Sequence, residues 1–256
     1  MISAGSCGEA LPHLGGAAAK IGLVLSPAQK DLFVRYCEMV LAANQQVNLT
    51  GAKTADGVMA TLILESLTIS LALPDHMRAA PPHASTLRVV DVGAGAGIPG
   101  IPLKVLYPFW KLALIESIGK KARFLEKAIR DLGLAGTTVM ARRAEDCGRE
   151  RAWRDSADLC LARAVAPLAS LVELCAPLVR TGGLLAFPKS GDVAPEVDAA
   201  RPAARALRVE FQKVVAVPAE LGLPPGRTIV VGEKKAATPS GYPRRTGLAQ
   251  SRPIGR

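Results

Sequence analysis

The sequence predicts an α/β fold: a mostly parallel, seven-stranded sheet with helices on both faces, and a small N-terminal helical cap. Three observations predict it. From residue 86 onward, short β-branched runs alternate with amphipathic helical stretches, the pattern of a parallel sheet covered on both sides. The first run, Leu87 to Val92, passes directly into a glycine-rich turn and then a helix, which places a crevice at the carboxyl end of a strand. Hydrophobic residues make up 49% of the 256 residues and aromatic residues 4%, enough for a core filled with aliphatic side chains.

Taken in order, residues 1–22 are rich in glycine and alanine without periodicity, and are expected to form a disordered tail. Residues 23–85 form the cap and its linker. Ser26-Pro27-Ala28-Gln29 carries a capping residue, a helix-starting proline and a box partner. Leu32, Phe33, Cys37, Val40 and Leu41 then repeat at helical spacing. A second helix is expected from Asp56 to Leu73, followed by a Pro-rich linker to Thr86.

The core is expected over residues 86–240. Its strands are read at Leu87 to Val92, Leu112 to Glu116, Thr138 to Ala141, Asp158 to Leu161, Gly183 to Pro188, Val209 to Val217 and Thr228 to Gly232. Helices fall at Gly100 to Leu106, Lys120 to Leu132, Pro167 to Val179 and Ala194 to Leu207. In the second of these, Phe124, Leu125, Ala128, Ile129 and Leu132 form a core-facing stripe. Residues 241–256 are read as a basic C-terminal tail.

Two ligands compete for the glycine turn. Gly95-Ala-Gly97-Ile-Pro-Gly100 fits the dinucleotide fingerprint, with Glu116 placed for a ribose hydroxyl. The register favours another reading. The glycines begin directly after Asp91, giving Asp91-x-Gly93-x-Gly95-x-Gly97, the pattern of S-adenosyl-L-methionine (SAM) methyltransferases of class I, whose sheet is Rossmann-like. Glu116, ending the second strand, would then hold both ribose hydroxyls. After the third strand, Arg143-Ala144-Glu145-Asp146 lies where an acid and its neighbouring backbone meet an adenine edge.

The fourth strand runs into Leu161-Ala-Arg163-Ala-Val-Ala-Pro167. The Asn/Asp-Pro-Pro-aromatic signature of exocyclic amine methylation is absent there, and Cys160 lies within an apolar strand, where it reads as structural rather than as a nucleophile. His13, His76 and His83 all precede the core motifs. A target that needs neither base nor covalent nucleophile fits best. Guanine N7 is such a target, a lone-pair acceptor with no proton to remove. No catalytic residue is assigned; Arg163 is the candidate for positioning, in contact with the cofactor, an RNA phosphate or guanine O6, with a plain surface salt bridge as the alternative.

A net charge of +10 fits a polyanionic partner or a basic solvated surface. Lys120, Lys121 and Arg123 follow Glu116 on the crevice side, Lys189 follows the fifth strand, and Arg244 and Arg245 sit near the C-terminus. Basic clusters flanking one crevice favour a nucleic-acid backbone. The five scattered cysteines read as buried free thiols, without metal-ligand spacing. No apolar run reaches membrane-spanning length and no signal segment is evident, so a cytoplasmic, metal-free and monomeric protein is expected.

With these motifs in place, the chain resembles the RsmG (GidB) family, the small-subunit ribosomal RNA guanine-N7 methyltransferases. The resemblance covers roughly Leu25 to Ile254. It rests on Asn48-Leu-Thr50, Asp91 through Pro102 with its repeated Gly-Ile-Pro, Glu116-Ser-Ile-Gly-Lys-Lys121 with Arg123-Phe-Leu125, Arg163-Ala-Val-Ala166, and Tyr242-Pro-Arg-Arg245. It implies SAM contacts at Gly93, Ile98, Ala144, Glu145 and Arg163, and methylation of one guanine in the 16S rRNA decoding region of the small ribosomal subunit. The chain departs from the family in lacking the histidine of a His-x-x-Asp-Ser-Leu motif, where Leu62-Ile-Leu-Glu65-Ser-Leu67 stands. Ala43 replaces a tryptophan common before the Asn48 motif. An NAD-dependent oxidoreductase and a non-catalytic RNA-binding protein are the alternatives.

Overall fold

The computed structural model describes residues 6–80 and 86–255. Helix α1 (Cys7–Lys20) begins at a Ser6–Glu9 capping box, and α2 (Pro27–Asn44) at a Ser26–Gln29 box with proline in its first turn. Side chains thereby bond the free amides of both first turns. A continuous helical stretch, α3, winds first as a π-helix (Gly57–Leu64), then as α (Glu65–Leu67), then as 3-10 (Thr68–Ala72). A short helix, α4 (Asp75–Arg78), lies within the expected linker and buries Met77; residues 81–85 of that linker lie outside the described residues.

The chain then alternates through β1 (Arg88–Val92), α5 (Gly100–Leu106), β2 (Lys111–Ile115), α6 (Gly119–Asp131), β3 (Thr137–Met140), α7 (Ala144–Arg149), β4 (Ala157–Ala162) and α8 (Leu168–Cys175). It continues with β5 (Val179–Ser190), α9 (Ala194–Ala206), β6 (Val209–Ala216), β7 (Arg227–Lys234) and α10 (Leu248–Ser251). All seven expected strands form one sheet in the order β3-β2-β1-β4-β5-β7-β6. The pairs among β1 to β5 are parallel, and β7 lies antiparallel between β5 and β6. The strand order reverses between β1 and β4, so the crevice of such a sheet opens at their carboxyl ends.

Side chains of β1 alternate between two apolar layers. Val89 joins a cluster with α1, α2, α3, α5 and α6, whereas Val90 and Val92 join one with α7, α8 and α9. The cap is therefore continuous with one face of the sheet and shares its core. At the sheet's far end the Lys234 ammonium is fully buried. It donates to Asp155 Oδ1 at 2.9 Å, Thr238 Oγ1 at 2.6 Å and the Ala176 carbonyl at 2.8 Å, the full set of partners a buried ammonium requires.

Three expectations are corrected. The segment expected as a disordered tail contains α1, whose Cys7, Ala10, Leu14, Ala17 and Ala18 are buried. Small side chains give this helix little hydrophobic contrast, yet they allow close packing on α2 and α3. The Cys7 and Cys37 sulfurs are bonded to each other, tying α1 to α2, while Cys147, Cys160 and Cys175 are free and buried. The C-terminal segment is docked instead of trailing away as a basic tail: Pro243 is buried against Gly148, and Ala249 of α10 joins the α7 to α9 layer.

Leu14→Ala tests the docking of α1. A buried leucine emptied to alanine costs about 2–5 kcal/mol, read as a lower midpoint in urea unfolding; an unchanged midpoint would mean that α1 does not pack on the core.

Candidate functional site

The turn after β1 is held from three sides. Asp91 is fully buried, and its Oδ2 accepts the Gly100 N–H at 2.8 Å while Oδ1 has no partner. Burial pushes its carboxyl up to about 7, against the opposing pull of the Gly100 hydrogen bond. The Gly93 and Ala94 amides both donate to the Ile115 carbonyl, at 2.9 and 3.1 Å. The Gly95 amide donates to Glu116 Oε2 at 2.9 Å, and Ile118 N–H to Oε1 at 2.8 Å. Glu116 thus clasps the loop with one oxygen and the start of α6 with the other. Each carboxylate oxygen retains acceptor capacity.

Gly93 and Gly100 stand where a side chain would clash. Gly93 has φ +71°, and a Cβ there would lie 2.6 Å from Val165 Cγ2. At Gly100 a Cβ would lie 2.8 Å from Asp91 Oδ2 and 2.7 Å from Leu114 Cδ2. The first lets backbone line an open cleft; the second lets α5 approach β1 closely enough for the Asp91 bond.

Gly93 lies between two cavities. A narrow one of about 70 Å³ is bordered by Glu116, Arg143, Ala144, Glu145, Gly247 and Gln250. A wider one of about 270 Å³ is bordered by Thr50, Leu62, Gly95, Ile98, Lys121 and Arg163. The structure therefore brings Gly93, Gly95, Ile98, Glu116, Ala144, Glu145 and Arg163 to one cleft. Asp91 and Gly97 support the turn from beneath, Asp91 through Gly100. Glu145 is half committed already, since its Oε1 accepts the Gly247 N–H at 2.8 Å.

Arg163 is held by the cap. Its Nη2 donates to Glu65 Oε2 at 2.9 Å and to the Thr61 carbonyl at 3.0 Å, and Nη1 has no partner. Arg227 approaches the other oxygen of Glu65 at 3.4 Å. Burial pulls the Arg163 guanidinium down, the Glu65 charge pulls it back up, and Arg227 adds like-charge repulsion.

The expected RNA-contact residues divide. Lys120, Arg123 and Arg245 are exposed, and Lys121 is half-buried at the cleft wall. Two others are paired with carboxylates of the chain. Lys189 donates to Glu196 Oε1 at 2.7 Å, and Arg244 bonds both oxygens of the buried Glu173, at 2.8 and 2.6 Å. Among the described residues no group of three or more His, Cys, Asp or Glu could hold a metal ion. No helix among them is long and apolar enough to cross a membrane.

Sequence reasoning missed Glu65, Tyr36 and Asn44. The Tyr36 hydroxyl donates to the Ala96 carbonyl at 2.7 Å. Asn44 bonds backbone groups of Leu49, Thr50 and Ala52, shaping the loop that walls the wider cavity. Glu65 carried a signal, since a carboxylate in the middle of an apolar helix calls for a buried cation.

Two outcomes follow from this geometry. In the fold Asp91 keeps a proton up to about pH 7, whereas the unfolded chain releases it near pH 4. The contribution of Asp91 is thus full below pH 4 and falls by on the order of 4 kcal/mol as pH rises to 7. Asp91→Asn should flatten that decline in unfolding free energy between pH 4 and 7; an unaltered pH profile would show that Asp91 is ionised throughout. Glu65→Ala strands Arg163 and Arg227 without their carboxylate and should cost about 3–5 kcal/mol of stability by denaturant titration, a loss below 1 kcal/mol contradicting the assignment.

A family profile described as "GidB: rRNA small subunit methyltransferase G" matches residues 29–222. A Roseiflexus sp. (strain RS-1) protein named "Ribosomal RNA small subunit methyltransferase G" is 43% identical over 235 residues, covering 91% of this chain and 95% of its own. One of the same name from Rubrobacter xylanophilus is 40% identical over 235 residues, covering 91% and 87%. Among solved structures, the Pyrococcus horikoshii protein PH0793 superposes with a TM-score of 0.50 at 15% identity, over 68% of this chain and 64% of its own, a likeness of fold alone. Motif, sheet order and near full-length relatives agree: this chain belongs to the GidB family, rRNA small subunit methyltransferase G.

Proposed function

We infer that the chain is a SAM-dependent methyltransferase that modifies N7 of a guanine in 16S rRNA. The observation that carries this reading is the composition of the wider cavity. Among the described residues its ionisable side chains are Lys121 and Arg163, with no carboxylate or imidazole lining it. A cavity so built offers no carboxylate or imidazole as general base, which suits a nucleophile that has no proton to lose. His13 and His76 lie in the N-terminal helices, and His83 lies outside the described residues. The family's name supplies the ribosomal RNA of the small subunit as the substrate class. A hydride-transfer reading finds no polarising acid among the residues that line the wider cavity.

The residues present fit SAM. Glu116 offers free lone pairs at the cleft edge for vicinal ribose hydroxyls, and the bare backbone at Gly93 and Gly95 leaves room for a sulfonium chain. Ala144 and Glu145 begin α7, where backbone amides have no intrahelical partner, and suit an adenine edge. When bound, SAM supplies an electrophilic methyl group. The protein's own part is to bind and orient: Thr50 and Ile98 border the space for the base, and Arg163, anchored by Glu65, positions what enters. Alignment of two reactants accounts for a large share of such a rate enhancement. The further reading is of a cytoplasmic, metal-free protein that acts on the small ribosomal subunit as a monomer.

Gly95→Asp adds a carboxylate at a residue of φ +58° whose amide donates to Glu116 Oε2 at 2.9 Å. SAM binding by calorimetry should become undetectable; retained affinity would contradict the loop assignment. Mapping N7-methylguanine in 16S rRNA from cells with and without the gene should show one chemical-cleavage signal lost on deletion, and an unchanged map would overturn the proposed reaction.

A further inference from the structure

Beside the cleft, α2 and α6 enclose an open groove of about 640 Å³ that the methyl-transfer reading does not use. Its floor is apolar: Met39, Ala43 and Val47 from the α2 side, and Phe124 from α6. Its rim carries Lys120, Arg123 and Lys127, against Glu38 alone. Lys127 pairs with Asp131. Lys120 and Arg123 are exposed, and among the described residues neither forms a salt bridge.

The groove and the cleft share a wall. Val47 lines the groove while Leu49, Thr50 and Gly51 line the cleft; Lys120 lines the groove while Lys121 lines the cleft. The loop of residues 46–51 and the first turn of α6 therefore separate two openings on the same side of the sheet. An apolar floor with an unneutralised cationic rim matches single-stranded nucleic acid, whose bases are flat and apolar on their faces and whose backbone is anionic.

We propose that this groove receives an unpaired nucleotide flanking the target guanine, its base against Met39, Val47 and Phe124 and its phosphate at Lys120 and Arg123. The proposal rests on the rRNA methyltransferase reading. Withdrawing a guanine from its stack into the cleft exposes a face of the neighbouring base, and the groove covers that face one loop away. Discrimination between a structured RNA with a free strand at the guanine and one without would then originate here, outside the reacting centre.

The test uses the full chain with unmodified 16S rRNA in small-subunit particles. Ala42→Glu places a negative charge at the exposed rim, on a helix that tolerates glutamate; Arg123→Ala removes the proposed phosphate contact. Each should raise KM for the RNA about tenfold, with kcat and SAM affinity unchanged, in line with the loss of one base or phosphate contact. A photoreactive benzophenone amino acid at the exposed Gln46 should cross-link to a nucleotide adjacent to the methylated guanine. If KM does not move, or the cross-link goes to a ribosomal protein, the groove serves another partner and the proposal fails while methylation stands. If the wild-type chain transfers no methyl group to rRNA, the functional reading fails first and the groove proposal falls with it.

Discussion

The hydrogen bond from the Gly100 amide to the buried Asp91 carboxyl is the constraint on which the remaining architecture depends. It joins the end of the first strand to the first turn of α5, and only a residue without Cβ at position 100 lets the two meet. The intervening turn is then stretched over the end of β2, where the Ile115 carbonyl and Glu116 bind three successive amides, those of Gly93, Ala94 and Gly95. A loop with its donors so engaged is preorganised, and a ligand meets a surface that need not be ordered on binding. The burial that raises the Asp91 carboxyl is the local cost of this arrangement.

The cap is part of the site. Tyr36 reaches the Ala96 carbonyl of the glycine turn, Asn44 shapes the 49–52 loop, and Glu65 anchors Arg163 across the cleft. Thr50 and Leu62, both in the cap, border the wider cavity. Leu62 walls that cavity with an apolar side chain. The two openings beside the loop of residues 46–51 likewise exist only because cap and sheet share one apolar layer.

Much of this was legible in the chain. The Asp91-x-Gly-x-Gly-x-Gly turn, Glu116 at the end of β2 and the helix from Gly100 to Leu106 fell where spacing put them, since a strand, a turn and a helix in close succession are local structure. Sheet order was legible only as alternation. The antiparallel insertion of β7 between β5 and β6 is a long-range pairing that alternation along the chain does not encode. Helix α1 escaped because Ala17 and Ala18 carry little hydrophobic contrast, although Ser6 and Glu9 spelled out its capping box.

The row of residues alone was enough for the class of fold, for the glycine turn with its two acids, and for the placing of His13, His76 and His83 ahead of the core motifs. Tertiary structure decided which charges are free. Arg244 and Lys189 look like Lys120 and Arg123 in a row of letters, but Glu173 and Glu196 engage the first pair, and among the described residues no carboxylate pairs with the second. It also decided that Arg163 answers to Glu65, 98 residues away. Such partnerships follow from the packing of distant segments, and the electrostatic state of a side chain is set by what surrounds it in space.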